Sequence, residues 1–204
     1  EQEHSLMVFE PGQNDLKGEV IIDRLASEYP DKPISHLIVS HHHNDHAAGI
    51  RPYIAAGAEL VVHDTAVDFF KEQTSRPQSR VLKDALDRQP TEAIIVGVAA
   101  DTPLRIEDAQ LPVVIYPLAM GHVPDMVFVF VEGPDLLYGG DLYISGLARD
   151  LRSGKKRPAD ILPFHAAKSL DEGIRQYGLK VSSLVGSHDQ QVVVYEDLTN
   201  YLSD

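Results

Sequence analysis

Four of the ten histidines in this chain lie within six positions, in the segment 41–46. A short apolar, β-branched run at residues 37–39 precedes this segment, and small residues follow it. The run predicts a buried strand that stops at Ser40. Asn44 is a favoured N-cap, so we expect a helix that begins there and continues to about residue 56. The histidines are therefore expected in a tight loop between a buried strand and a helix.

The side chains in this loop are of the types that bind divalent metals. In an extended loop alternate side chains point the same way, so His41 and His43 can share one metal ion. Asp45 and His46 follow at the turn into the helix and can bind at a second point close by. Imidazole nitrogens and carboxylate oxygens suit zinc, with manganese and iron as substitutes. A surface histidine cluster or the remnant of a tag is the alternative, but a tag does not sit between a buried strand and a helix.

The loop resembles the His-x-His-x-Asp-His signature of the metallo-β-lactamase fold superfamily, in the order His41, His43, Asp45, His46. The superfamily pattern continues with a histidine after a later strand, an aspartate that ends another strand and a histidine near the C-terminus. Three residues stand in that order here, each after an apolar strand-like run: His122, Asp141 and His188. The resemblance covers nearly the whole chain.

The resemblance implies an α/β fold, a four-layer αββα sandwich over one domain that spans residues 1–204. It implies two zinc ions, or iron or manganese in their place, at the edge between the two sheets. The implied ligands are those of the first ion (His41, His43 and His122), those of the second ion (Asp45, His46 and His188) and a bridging carboxylate (Asp141). A hydroxide between the ions would attack the substrate and Asp45 would orient it, so Asp45 and Asp141 are the expected catalytic residues.

The expected activity is that of a zinc-dependent hydrolase of an ester, thioester, lactone, lactam or similar small molecule. The chain has no cysteine, which excludes a thiolate ligand and disfavours the antibiotic-hydrolysing enzymes with a cysteine at the second metal. A glyoxalase II is disfavoured because only 16 residues follow His188, too few for its helical substrate domain. Two alternatives stay open: a mononuclear iron dioxygenase of the persulfide type, and a non-catalytic domain that binds metal for stability or assembly.

Composition narrows the expected partners. The 204 residues carry a formal net charge of −13, and 43% of them are hydrophobic. An acidic surface repels phosphate backbones, so we expect no nucleic-acid partner. No run reaches the roughly 18 apolar residues of a membrane span, so no membrane partner is expected either. The sequence leaves the compartment undetermined between cytoplasm, periplasm and secretion.

A few residues outside the signature bear on the site. His63 and His165 could line the pocket, and Tyr143 could donate a hydrogen bond to a developing oxyanion, although a packed tyrosine is the simpler interpretation. Asp189 stands where the superfamily commonly has glycine, and its carboxylate could alter the hydrogen bonds around the metal. Residues 142–163 show no clear period and are expected to loop past the site.

The N-terminal part of the chain departs from the superfamily pattern, which places several more strands before the equivalent of Ser5. Residues 5–10 predict a strand, which would then be a sheet edge with unpaired backbone groups. We therefore expect either a further N-terminal segment in the native protein or a homodimer in which a second copy covers this edge. The remaining chief predictions are helices at 16–29, 65–74, 78–86 and 166–177, a β-hairpin at 126–140 and a last core strand at 181–187.

Overall fold

The computed structural model describes residues 1–77, 83–121, 123–153, 162–189 and 191–203 of the 204-residue chain. Contacts divide the chain into two compact units. The first unit comprises Glu1–Ala99 and Asp108–Leu111, and the second comprises Ala100–Glu107 and Pro112–Asp204. No helix in the described ranges is both long and apolar enough to cross a membrane.

The first unit contains a four-stranded parallel sheet with the strand order β1-β2-β3-β4. Its elements are β1 (Leu6–Phe9), α1 (Asp15–Glu28), β2 (Ile34–Ile38), α2 (Asn44–Ala47), α3 (Ile50–Ala55), β3 (Glu59–His63), α4 (Val67–Ser75), α5 (Ala85–Arg88) and β4 (Ile95–Val98). One turn of 3-10 helix, Asp64–Ala66, joins β3 to α4. The alternation of strands and helices in the sequence predicts parallel strands, and the sheet confirms this. Strand β1 lies at one edge, as the sequence predicts.

Two glycines set the position of the helices that follow the histidine segment. A Cβ on Gly18 of α1 would lie 2.9 Å from the carbonyl oxygen of Gly49, so α1 can approach this turn only without a side chain there. A Cβ on Gly49 would lie 2.7–2.9 Å from three carbonyl oxygens of the β1–α1 loop. The sequence predicts one helix over residues 44–56, but the chain forms α2 and α3 with a break at this glycine. The N-cap of α2 is His43, one residue before the predicted Asn44.

The second unit contains a six-stranded mixed sheet with the strand order β10-β9-β8-β7-β6-β5. Its elements are β5 (Leu104–Ile106), β6 (Val113–Pro117), β7 (Val127–Val131), β8 (Leu136–Tyr138), α6 (Ser145–Ser153), α7 (Leu162–Gln176), β9 (Ser183–Val185), β10 (Val193–Val194) and α8 (Tyr195–Ser203). Strands β8 and β9 are parallel, and the other pairs are antiparallel. The predicted hairpin is confirmed as β7–β8, with positive φ at Gly133 (91°) and Asp135 (52°) in its turn.

The prediction that residues 142–163 form only a loop is wrong. The chain forms α6 in this range, and α7 begins at Leu162, four residues before the predicted start at residue 166. The start of α6 is held by Asp189, whose carboxylate accepts a hydrogen bond from the backbone N–H of Ser145 at 2.9 Å. That contact joins residues 44 positions apart, so no local sequence pattern predicts it. Most of the predicted helix at 78–86 lies outside the described residues. In the part that is described, the helix begins at Ala85, the first residue of α5.

Candidate metal centre

The metal loop, residues 40–46, follows β2 at the carboxyl end of the parallel sheet. The neighbouring strand β1 ends at the same edge, where the N–H of Glu10 donates to the carbonyl of Ile38 at 2.9 Å. In a parallel sheet the carboxyl ends of adjacent strands lie side by side, so residues after β1 and β2 meet. Glu10 therefore faces the metal loop from the neighbouring strand.

Glu10 makes two contacts to the loop with its carboxylate. One oxygen, Oε1, accepts the N–H of Ser40 at 3.0 Å, and the other, Oε2, lies 3.0 Å from Nδ1 of His46. Both side chains are shielded, since 12% of Glu10 and 1% of His46 are exposed. Glu10 has φ 67°, a left-handed conformation that costs a non-glycine residue roughly 1–3 kcal/mol and is typical of functional sites. This strained backbone directs the carboxylate at the loop.

The three signature histidines of the loop lie together. The ring centroid of His41 is 4.5 Å from that of His43 and 4.2 Å from that of His46. Oδ2 of Asp45 lies 3.5 Å from Nε2 of His46. The hydroxyl of Ser40 contacts Nδ1 of His41 at 3.0 Å, so His41 and His46 are both oriented through Nδ1 and would bind a metal through Nε2.

The second unit brings together the other two described ligand candidates. Asp141 follows β8 and His188 follows β9, and these strands are adjacent and parallel, so their carboxyl ends share one edge. Oδ1 of Asp141 lies 3.2 Å from Nε2 of His188. One residue before His188, the hydroxyl of Ser187 contacts the hydroxyl of Tyr138 at 2.6 Å, which fixes this end of the strand pair. His122, the remaining candidate, lies outside the described residues.

Asp189, the departure from the superfamily pattern, has a structural partner. Its Oδ1 accepts hydrogen bonds from the N–H and the hydroxyl of Ser145, both at 2.9 Å. Its Oδ2 accepts the N–H of Gly186 at 3.2 Å. The carboxylate thus ties the turn that carries His188 to the start of α6. A Cβ on Gly186 would lie 2.5 Å from the carbonyl oxygen of Tyr143, so this turn tolerates only glycine.

Two of the other three candidates, His63 and Tyr143, have structural roles. Nδ1 of His63 accepts the N–H of Thr65 at 3.2 Å and contacts its hydroxyl at 2.9 Å, so His63 caps the 3-10 helix. His165 is exposed on α7. Tyr143 is buried in the core of the second unit, with its ring 5.9 Å from that of Tyr201, as the simpler interpretation predicts.

Sequence reasoning missed Glu10 and Ser40, the residues that orient His46 and His41. A signal was available, because Glu10 is the last residue of a predicted strand and precedes the Pro-Gly break. Parallel strands bring such strand ends together. The donor set of each unit suits a zinc, iron or manganese ion: imidazole nitrogens with fixed rings and carboxylate oxygens, with no thiolate in the chain.

A family model and several solved structures match the chain. The family model for the metallo-beta-lactamase superfamily matches residues 3–188. A metallo-beta-lactamase from Pontibacter korlensis is 17% identical, with a TM-score of 0.69 over 100% of this chain and 83% of the other. One from Hirschia baltica is 18% identical, with a TM-score of 0.64 over 100% and 82%. The metallo-beta-lactamase DIM-1 is 13% identical, with a TM-score of 0.67 over 100% and 82%.

No curated protein sequence matches the chain. At these identities the solved structures establish the fold, the predicted arrangement of two sheets with helices. The family match covers most of the sequence and includes the metal loop. The chain therefore belongs to the metallo-beta-lactamase superfamily.

Proposed function

We propose that this protein is a zinc-dependent hydrolase of an ester, thioester, lactone, lactam or similar small molecule. The observation that supports it most is the cluster of His41, His43 and His46, in which the Nδ1 atoms of the first and last are held by Ser40 and Glu10. A ring held through Nδ1 presents its other nitrogen, Nε2, to a metal in a fixed orientation. Histidines that merely cluster at a surface need no such contacts. The proposed ligands are the seven of the superfamily pattern: His41, His43, Asp45, His46, His122, Asp141 and His188.

The chemistry divides between the ions and the chain. Two bound zinc ions would lower the pKa of a bound water and would polarise a substrate oxygen. Glu10 and Ser40 keep the rings of His46 and His41 in one orientation. The Asp45 side chain is 48% exposed, so it is accessible to solvent and can accept a proton from an attacking water at a carboxylate oxygen. We propose Asp45 and Asp141 as the catalytic carboxylates.

Metal content and turnover test the proposal together. Protein prepared with zinc should contain about two equivalents by elemental analysis, and it should hydrolyse at least one member of a panel of esters, thioesters, lactones and lactams. Removal of the metal with a chelator should abolish turnover, and zinc should restore it. Asp141→Asn keeps the side-chain shape but would weaken a proposed metal ligand, so it should lower the rate more than tenfold.

Two outcomes would reject the proposal in favour of the alternatives. One tightly bound iron per chain, with oxygen consumption on a persulfide, would indicate a dioxygenase. Zinc-loaded protein that hydrolyses no member of the panel would indicate a non-catalytic metal-binding domain.

A further inference from the structure

A cavity of about 180 Å³ lies in the first unit, behind the metal loop. Asn44, Ala47 and Ala48 line it from α2, and these positions share one face of the helix because they are three and four residues apart. Asp45 and His46, the ligand candidates on the same helix, are on the other faces. The cavity is therefore separate from the proposed ligand atoms. Its volume is large enough for a single ring: closed apolar cavities of about 150 Å³ bind benzene, whereas this one is open to solvent and partly polar.

Aromatic rings form one wall of the cavity. Phe70 is fully buried, whereas Phe69 is 39% exposed at the opening. The rings of Phe69 and Phe70 meet edge to face, with centroids 5.1 Å apart and an interplanar angle of 83°. The ring of His42 meets Phe69 in the same way, at 5.7 Å and 68°. Rings arranged edge to face offer both faces and edges to a further ring, which is the geometry that aromatic groups prefer.

The charged residue in the lining, Arg51, has no donor to offer an anion. Arg51 contributes to the wall, and its guanidinium has five N–H donors. All are used: Nη1 donates to carbonyl oxygens of residues 73, 74 and 76, while Nε and Nη2 donate to the carboxylates of Asp84 and Asp87. The buried cation is thus balanced by two carboxylates and has no donor left for an acidic ligand.

Two residues of the metal loop, His42 and Asn44, line the cavity, and His42 also contacts a proposed metal ligand. The ring of His42 lies 5.7 Å from Phe69 and 5.2 Å from His43, a proposed metal ligand. A group in the cavity would touch the ring that packs on His43. We propose that this cavity binds an uncharged monocyclic aromatic group, beside but not at the metal centre. The group is either a separate small molecule or the side group of a substrate.

The test measures binding of 4-fluorophenol, which is uncharged at pH 7, by fluorine NMR titration of the whole chain. Metal-free and zinc-loaded protein should both bind it with a dissociation constant of about 1 mM or tighter, so the result is independent of the proposed hydrolase activity. Ala48→Leu fills the cavity and should weaken binding at least tenfold, whereas Ala100→Leu, at an exposed position, should leave it unchanged. The anion 4-fluorobenzoate should bind at least tenfold more weakly than the phenol.

Phe69→Ala provides a second variant if Ala48→Leu does not fold, because Phe69 is partly exposed and its truncation removes only the outer wall. It should also weaken binding at least fivefold. Absence of binding to the wild-type protein, or equal binding to the wild-type and a folded cavity variant, would overturn the proposal. If the protein hydrolyses phenyl esters, competitive inhibition by the phenol would identify the ring as part of the substrate, and binding without competition would identify a separate ligand.

Discussion

Glu10 shows how one side chain can determine the state of a metal site. Its carboxylate accepts the N–H of Ser40 and lies 3.0 Å from Nδ1 of His46. With a carboxylate as its partner, Nδ1 carries the proton and Nε2 keeps its lone pair for a metal. The negative charge also makes the ring a stronger donor to the ion. In the proposed site Glu10 is thus a positioning residue, which would act on a metal through His46.

We predict that Glu10→Gln lowers zinc affinity roughly 10- to 100-fold, because the amide keeps the shape of the carboxylate but removes its charge and one of its two acceptor oxygens. Competition with a chromophoric chelator measures the affinity, and far-UV circular dichroism checks that the fold is retained. Glu28→Gln, which changes a partly exposed glutamate on α1, is the matched control and should bind zinc like the wild-type chain. Unchanged affinity in Glu10→Gln would show that His46 is not a metal ligand or does not depend on this contact.

At the scale of elements, Arg51 connects α3 to the segments around it. Its buried guanidinium donates to carbonyl oxygens at the end of α4 and to Asp84 and Asp87 at α5. Asp15, the first residue of α1, faces this cluster. Its Oδ1 is buried, with no hydrogen-bond partner in the described part of the chain. Burial, and then repulsion from Asp84, raise the pKa of Asp15 to about 6.

A raised carboxyl pKa makes stability depend on pH in a defined direction. The folded chain holds the proton of Asp15 more tightly than the unfolded chain does, so this contribution is complete below pH 3.8 and is lost as the pH rises through about 6. A shift of this size corresponds to at most about 3 kcal/mol, and partial exposure and the favourable helix dipole at α1 reduce it to about 1 kcal/mol.

We predict that Asp15→Asn raises the free energy of unfolding by about 1 kcal/mol at pH 7.5 and changes it little at pH 4, where the wild-type carboxyl is already largely protonated. Urea denaturation at both pH values measures the difference. Asp23→Asn, at an exposed position of the same helix, controls for the loss of a negative charge. An equal gain in the free energy of unfolding at both pH values would contradict the raised pKa of Asp15.

For the molecule as a whole, metal binding and stability should be linked. An ion that binds only the folded chain stabilises it by about 2.7 kcal/mol at 100 times its dissociation constant. For a chain of about 200 residues this corresponds to a rise in Tm of roughly 5–10 °C. We therefore predict that, in a thermal scan, zinc-loaded protein has a Tm higher by this amount than chelator-treated protein. His41→Ala should lose most of it, and His4→Ala, at an exposed position, should keep it. A Tm that zinc does not move would contradict the ligand assignment.

The secondary-structure elements that depend on neighbouring residues could be predicted from the sequence. Strands β7 and β8 lie within the predicted hairpin range, 126–140, and the metal loop lies between a strand and a helix as expected, because hydrophobic periodicity determines such elements. What it missed depends on distant contacts: Glu10 meets His46 across 36 positions, and Asp189 meets Ser145 across 44. The ligand roles, the single-domain organisation and the oligomeric state stay predictions.

The pairing of β8 with β9 has a consequence for the time at which the protein can mature in the cell. Asp141 and His188 are 3.2 Å apart in the fold but 47 positions apart in the sequence (188 − 141 = 47). A ribosome adds about 5–20 residues per second, so roughly 2–10 seconds separate the synthesis of the two residues. During that interval the nascent chain has the aspartate without its histidine. In the proposed site, this pair could therefore bind a metal together only after His188 has been synthesised.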